Sequence, residues 1–82
     1  MFTTQEVAYV HPIARYRVAR GWTQAELASA VEVSVTAVQG WERGAQPRPR
    51  MLVRLSEALR VDSLALLKEL EDWRSTKEAG NG

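Results

Sequence analysis

The sequence predicts an all-α domain of five helices, and three observations carry the prediction. Between Gln24 and Arg43 the apolar residues change phase once: Leu27, Ala28 and Val31 share one helical face, Val38 and Trp41 share another, and no single helix or strand holds both sets. Capping signals stand where those two helices should open, Thr23 with Glu26 three residues later as a capping box, and Ser34 ahead of Val35. Gly21, Gly44, Pro47 and Pro49 punctuate the chain where helical periodicity stops.

Residues 1–11 have no clear period and read as an extension, with Phe2, Val7, Tyr9 and Val10 available to dock on the core or on a second subunit. Pro12 suits a first helical turn, and Ile13, Tyr16, Arg17 and Arg20 repeat at helical spacing until Gly21 stops helix one. Helix two then spans 24 to about 31 and helix three about 35 to 42, with the small Ala28 where the two cross most closely. The segment AQPRPR is an extended loop, because a residue before proline avoids the helical region. A helix resumes near Arg50, and Met51, Leu52, Leu55, Ala58 and Leu59 form its apolar face up to about Arg60. Asp62 or Ser63 caps helix five, whose Leu64, Leu67 and Leu70, with Leu66 and Trp73 beside them, make an apolar face wider than a terminal helix usually needs. That surplus predicts a partner surface. The domain is expected to cover 12–74, followed by a frayed tail over 75–82.

Eighty-two residues suffice for one small core, and without cysteine neither a disulfide nor a thiolate metal site can support it. No apolar run approaches the roughly 18 residues needed to cross a bilayer, and the first residues, MFTTQEVAYVHP, lack the basic and apolar stretches of a signal peptide. A soluble, cytoplasmic protein without membrane association is expected. The single histidine, His11, sits beside a helix start and reads as a solvated cap; with no phosphate loop and no metal-spaced cluster, no enzyme, cofactor or metal is expected.

A net charge of +1 argues only weakly for a polyanionic partner, so the distribution matters more. Residues 1–50 carry six arginines against four glutamates, and the remainder five basic against six acidic residues. Arg43, Arg48 and Arg50 cluster directly after helix three. From charge alone, a solvated loop and a DNA contact explain that cluster equally well.

The strings RGWTQAELA, VSVTAVQGWERG, PRPRMLVRLSEALRV and SLALL, in that order and spacing, resemble the phage-repressor helix-turn-helix family, the lambda-repressor and Cro-like group, over roughly residues 12–70. The resemblance implies a five-helix lambda-repressor-like DNA-binding domain with the helix-turn-helix at helices two and three, a group that includes standard examples of helix-turn-helix docking. It further implies that Gln24 contacts a phosphate, where the amides of helix two favour the same anion. Val35, Thr36, Gln39 and Gly40 match the base-facing positions, and they are also the residues left outward once Val38 and Trp41 are buried. Gln39 can pair bidentately with adenine, Thr36 can donate, accept or offer its methyl, and Val35 can meet a thymine methyl. Ser34, Arg43, Arg48 and Arg50 match positions touching phosphates or the minor groove, with Arg50 the best suited to a narrowed groove. Arg17 and Glu42 match a structural ion pair between helix one and the end of helix three.

Two positions depart from the pattern. Glu32 stands where the family usually has a turn glycine, so a left-handed conformation there costs on the order of 1 kcal/mol. Gly40 brings no side chain to a position where relatives often place a base-reading one; either the backbone approaches DNA closely there or that base pair is weakly read.

The reading is a double-stranded DNA-binding regulator, a repressor or Cro-like switch protein, acting on a two-fold-symmetric operator as a homodimer through Leu66, Leu70 and Trp73 of helix five. A restriction-modification controller fits the same outline. The alternative is an antitoxin or other interaction module that holds a protein partner through the C-terminal helix.

Overall fold

The computed structural model describes residues 11–81, with side chains through Thr76. Its described residues form five helices and no strand: α1 (Pro12–Ala19), α2 (Gln24–Ala30), α3 (Val35–Glu42), α4 (Pro49–Leu59) and α5 (Ser63–Asn81). The expected docking of Phe2, Val7, Tyr9 and Val10 lies outside the described residues. Helix α5 runs through Asn81, past Ser75, where the sequence predicts a frayed tail.

Helix starts follow local side-chain chemistry. Thr23 and Glu26 close a reciprocal capping box, with bonds of 3.1 Å to the Glu26 amide and 2.7 Å from the Thr23 amide. Ser34 Oγ accepts from the Ala37 amide at 3.2 Å, and Asp62 Oδ2 accepts from the Ala65 amide at 3.0 Å, which makes Asp62 the cap of α5. His11 Nδ1 accepts from the Ile13 amide at 3.1 Å, so the imidazole caps α1 as a neutral acceptor. It is not the solvated cap expected: His11 is only 6% exposed, with its ring edge-on to Trp73 and the centroids 4.6 Å apart.

The first four helices end in one geometry. A residue of positive φ follows each, Gly21 at 76°, Glu32 at 61°, Gly44 at 119° and Arg60 at 59°. The next amide then reaches back across the helix end, Trp22 to Arg17 O at 3.0 Å, and Val33 to Ala28 O, Ala45 to Gly40 O and Val61 to Ser56 O at 2.9 Å each. This arrangement satisfies carbonyls that the helix leaves unpaired and turns the chain sharply. Glycine enters it without strain, whereas Glu32 and Arg60 hold the left-handed conformation at a cost of about 1 kcal/mol each.

Helix α2 packs on α3, α4 on α5, and α1 on both α3 and α5. Leu27, Ala28 and Val31 meet Val38 and Trp41 across the turn, and Leu52, Leu55 and Leu59 of α4 extend the core toward α5. Leu66 and Leu70 are 0% and 3% exposed and belong to that same core. Fully burying a leucine stabilises a domain by about 1.5–3 kcal/mol, so these two are committed to the monomer and not to a dimer interface. The turn at Arg60 rolls α5 so that Leu66 and Leu70 point inward while Leu64, 72% exposed, points out.

Polar contacts add a second tie between α1 and α5. Arg15 Nη2 bonds Glu69 Oε1 at 2.8 Å, and the Tyr16 hydroxyl donates to the other oxygen of the same carboxylate. That acceptor, and then burial, push the Tyr16 hydroxyl above its ordinary value of 10.0.

Candidate nucleic-acid interface

Because α3 buries Val38 and Trp41, its opposite face is left to solvent. Thr36, Gln39 and Arg43 recur there at i, i+3 and i+7, with Val35 at the edge of the stripe, 37% exposed. More than a third of this valine is left in water, where a methyl-bearing partner would cover it. Arg43, expected among the loop cations, stands on this stripe at the C-terminal end of α3. Gly40 lies beside it, and a Cβ placed there would meet only the Ala45 Cβ, at 4.0 Å. Internal packing therefore does not require glycine at this position.

The start of α2 and the end of α3 are joined through one carboxylate. Arg17 Nε donates to Glu42 Oε2 at 2.8 Å and Arg17 Nη2 to Glu42 Oε1 at 3.2 Å, a bidentate pair whose side chains are 14% and 10% exposed. The remaining guanidinium nitrogen, Nη1, donates to Trp22 O at 2.8 Å, just ahead of the α2 cap. Gln24 Nε2 donates to Glu42 Oε1 at 3.0 Å. Arg17 and Glu42 thus form the expected ion pair, and Gln24, expected at a phosphate, is held by the same group. A carboxamide nitrogen has two hydrogens, so one engaged by Glu42 leaves the other to donate outward.

The segment from Arg43 to Arg50, from the end of α3 to the first turn of α4, concentrates uncompensated positive charge. Arg43, Arg48 and Arg50 are exposed, and none has an ion-pair partner among the described residues. Arg48 occupies the N-cap of α4 without a capping bond, Pro49 follows at the first position, and no acidic residue lies in the first turn. Cations at a helix N-terminus oppose the helix dipole, and the free amides there ask for an acceptor. Two arginines around an uncapped N-terminus weaken an isolated helix, and an anion reverses both effects.

The helix-turn-helix family pattern matches residues 13–66, which include α2, the turn, α3 and α4. The chain belongs to the Cro/C1-type helix-turn-helix family. This is a family of DNA-binding regulators. Comparison with curated proteins and with solved structures gives no match. None of the described helices is long and apolar enough to cross a membrane, and no group of metal-ligating side chains occurs among the described residues.

Within this helix-turn-helix protein, Trp73 lies beyond the matched segment and is half-buried against its own chain, on His11 and beside Gly44. Three contacts escape sequence reasoning: Gln24 with Glu42, the Arg20 guanidinium 4.6 Å over the Trp22 ring, and Trp73 with Gly44. Only the second carries a sequence signal, an arginine and a tryptophan flanking a turn glycine, and that signal is common.

Proposed function

We propose that the protein is a sequence-specific double-stranded DNA-binding transcriptional repressor or Cro-like switch protein, binding a two-fold-symmetric operator as a homodimer. One observation carries the reading: the outward stripe of α3, Val35, Thr36, Gln39 and Arg43, continues into a loop whose arginines lack counter-charges. A base-reading face bordered by phosphate-binding cations is what a helix in a major groove needs. Val35, Thr36 and Gln39 read base edges, Gly40 lets the helix approach, and Gln24, Ser34, Arg43, Arg48 and Arg50 hold the backbone on either side. The protein acts in the cytoplasm, where such operators are found.

So short a stripe makes few base contacts, and a second copy on a half-site about 34 Å away supplies the rest. Leu64 is the apolar residue offered to that copy, 72% exposed in the first turn of α5 beside the half-buried Val61 and Leu67. The test is a footprinting titration against the DNA upstream of its own gene at several salt concentrations. Two-fold-symmetric protection with a steep salt dependence supports the reading. Intact fold with no preference over random DNA rejects it and assigns the exposed Leu64 surface to a protein partner, as in an antitoxin.

A further inference from the structure

We propose that Trp73 and Gln46 are positioning residues for the arginine loop: through them α5, beyond the segment that defines the family, holds the chain between α3 and α4 ready for DNA phosphates. This rests on the DNA-binding reading above and names a part of the molecule that reading does not use.

Two fixed points lie within the loop. A Cβ placed on Gly44 would stand 3.5 Å from Trp73 Cζ3 and 3.6 Å from Cη2, ordinary contact distances, so the indole lies over the loop's first residue with room for one methyl between them. Two residues on, Gln46 Oε1 accepts from Arg74 Nη2. Trp73 is itself braced, since its ring meets the buried His11, which caps α1. The loop is thereby tied to both α5 and α1. Arg43 precedes the first fixed point and Arg48 follows the second, with Pro47 buried between Gln46 and Arg48.

Physical necessity explains the device. Glycine at φ 119° is the residue with the most backbone freedom to lose, and it sits immediately after Arg43. A loop left free would have to be ordered on binding, at the expense of affinity, whereas one already held delivers its cations together. Aromatic cover beside Gly44 narrows that freedom without adding a side chain to the loop or taking an arginine from the interface.

The test measures operator affinity and its salt dependence for the full chain, in Trp73→Leu, Trp73→Phe and Gln46→Ala, alone and combined with Arg48→Ala. All are compared under conditions where circular dichroism shows each variant folded. Trp73→Leu is expected to lower affinity about tenfold and to reduce the salt slope by about 1, the loss of roughly one phosphate contact, with base preference unchanged. Trp73→Phe restores most of the loss, and in the Arg48→Ala background Trp73→Leu costs much less than in the wild type. Gln46→Ala alters no charge and leaves the core intact, so its smaller loss, about threefold and again reduced by Arg48→Ala, tests the proposal even where Trp73→Leu fails to fold. Strict additivity with Arg48→Ala, or an unchanged salt slope, overturns the positioning role while leaving DNA binding in place. A wild-type protein without operator preference overturns both.

Discussion

Gln24 donates to Glu42 across 3.0 Å, so the first residue of α2 and the last of α3 are joined by a side-chain bond at the edge of the interface. The bond places a carboxylate beside a group proposed to meet a phosphate, an arrangement that repels DNA unless the charge is answered. Arg17 answers it at 2.8 Å. The ion pair therefore has two consequences, one for the fold and one for binding.

Removing Arg17 separates them. With both side chains nearly buried, Arg17→Met strands the Glu42 charge and is expected to destabilise the domain by about 3 kcal/mol, as breaking one side of a buried pair does. Replacing both, Arg17→Met with Glu42→Leu, is expected to recover most of that loss in urea denaturation. If the double variant is as unstable as the single one, the packing of the Arg17 stem, and not the stranded charge, accounts for the loss.

The turn residues Glu32 and Arg60 are expected to gain stability on replacement by glycine. Arg60→Gly relieves left-handed strain and should add about 1 kcal/mol. Glu32→Gly should add somewhat less, because it also removes the Glu32–Arg54 pair. That pair spans 3.7 Å, with side chains 79% and 54% exposed, and exposed pairs contribute about 0–1 kcal/mol. Gly44→Ala should act in the opposite sense, since a methyl at φ 119° is strained even though the space before Trp73 admits it at 3.5 Å. Thermal melts of the three variants check the signs.

These cases mark what was legible in the sequence. Caps and turns are local: Thr23, Glu26, Ser34 and the phase break between Val31 and Val38 depend on neighbours a few residues away, and the structure places all of them as the spacing predicts. The orientation of α5 is not local. Its leucines cover more than one face, and the left-handed Arg60 decides that Leu66 and Leu70 turn inward and Leu64 outward. Nothing in an arginine's side chain announces that conformation. Likewise the ring that meets His11 belongs to Trp73, far along the chain, and no local pattern announces it. Within the interface, the outward face of α3 follows from burying Val38 and Trp41, but the Gln24–Glu42 bond and the cover on Gly44 are products of tertiary packing.

At Gly40 the helix carries a glycine its packing does not need. Gly40→Ala should raise stability by about 1 kcal/mol through helix propensity, since the nearest outside atom to the new methyl is 4.0 Å away. Operator affinity is expected to fall in the same variant, the mark of a position where backbone and DNA approach closely. A variant that is stabilised and binds as before shows that its base pair goes unread.

The contact of Tyr16 with Glu69 makes stability depend on alkaline pH. The hydroxyl is raised above 10.0 in the folded state, first by donating to Glu69 and then by burial. Above the unfolded value the unfolded chain releases this proton while the folded one keeps it, so the unfolded state binds fewer protons and stability falls as pH rises. The contribution is fully present below the unfolded value and is lost as pH rises through the folded one. Denaturant midpoints measured across that range should decline in the wild type. In Tyr16→Phe the decline should be shallower, and equal declines in the two would remove Tyr16 from the account.

Base reading and backbone binding separate most clearly at Gln39 and Arg50. Gln39 lies in the middle of the outward stripe with a carboxamide able to pair bidentately with adenine, so Gln39→Ala should cost about 1–3 kcal/mol on the preferred operator and little on random DNA. Arg50 has neither an ion-pair partner among the described residues nor a place on that stripe. Its guanidinium can meet a phosphate or enter a narrowed groove, and Arg50→Ala should weaken both kinds of DNA and lower the salt slope by about 1. The comparison is decisive because the two losses differ in kind. One changes the ratio of specific to nonspecific affinity at constant slope, and the other changes the slope at nearly constant ratio. Were Gln39→Ala to flatten the slope while Arg50→Ala left it untouched, α3 would not be the helix in the groove.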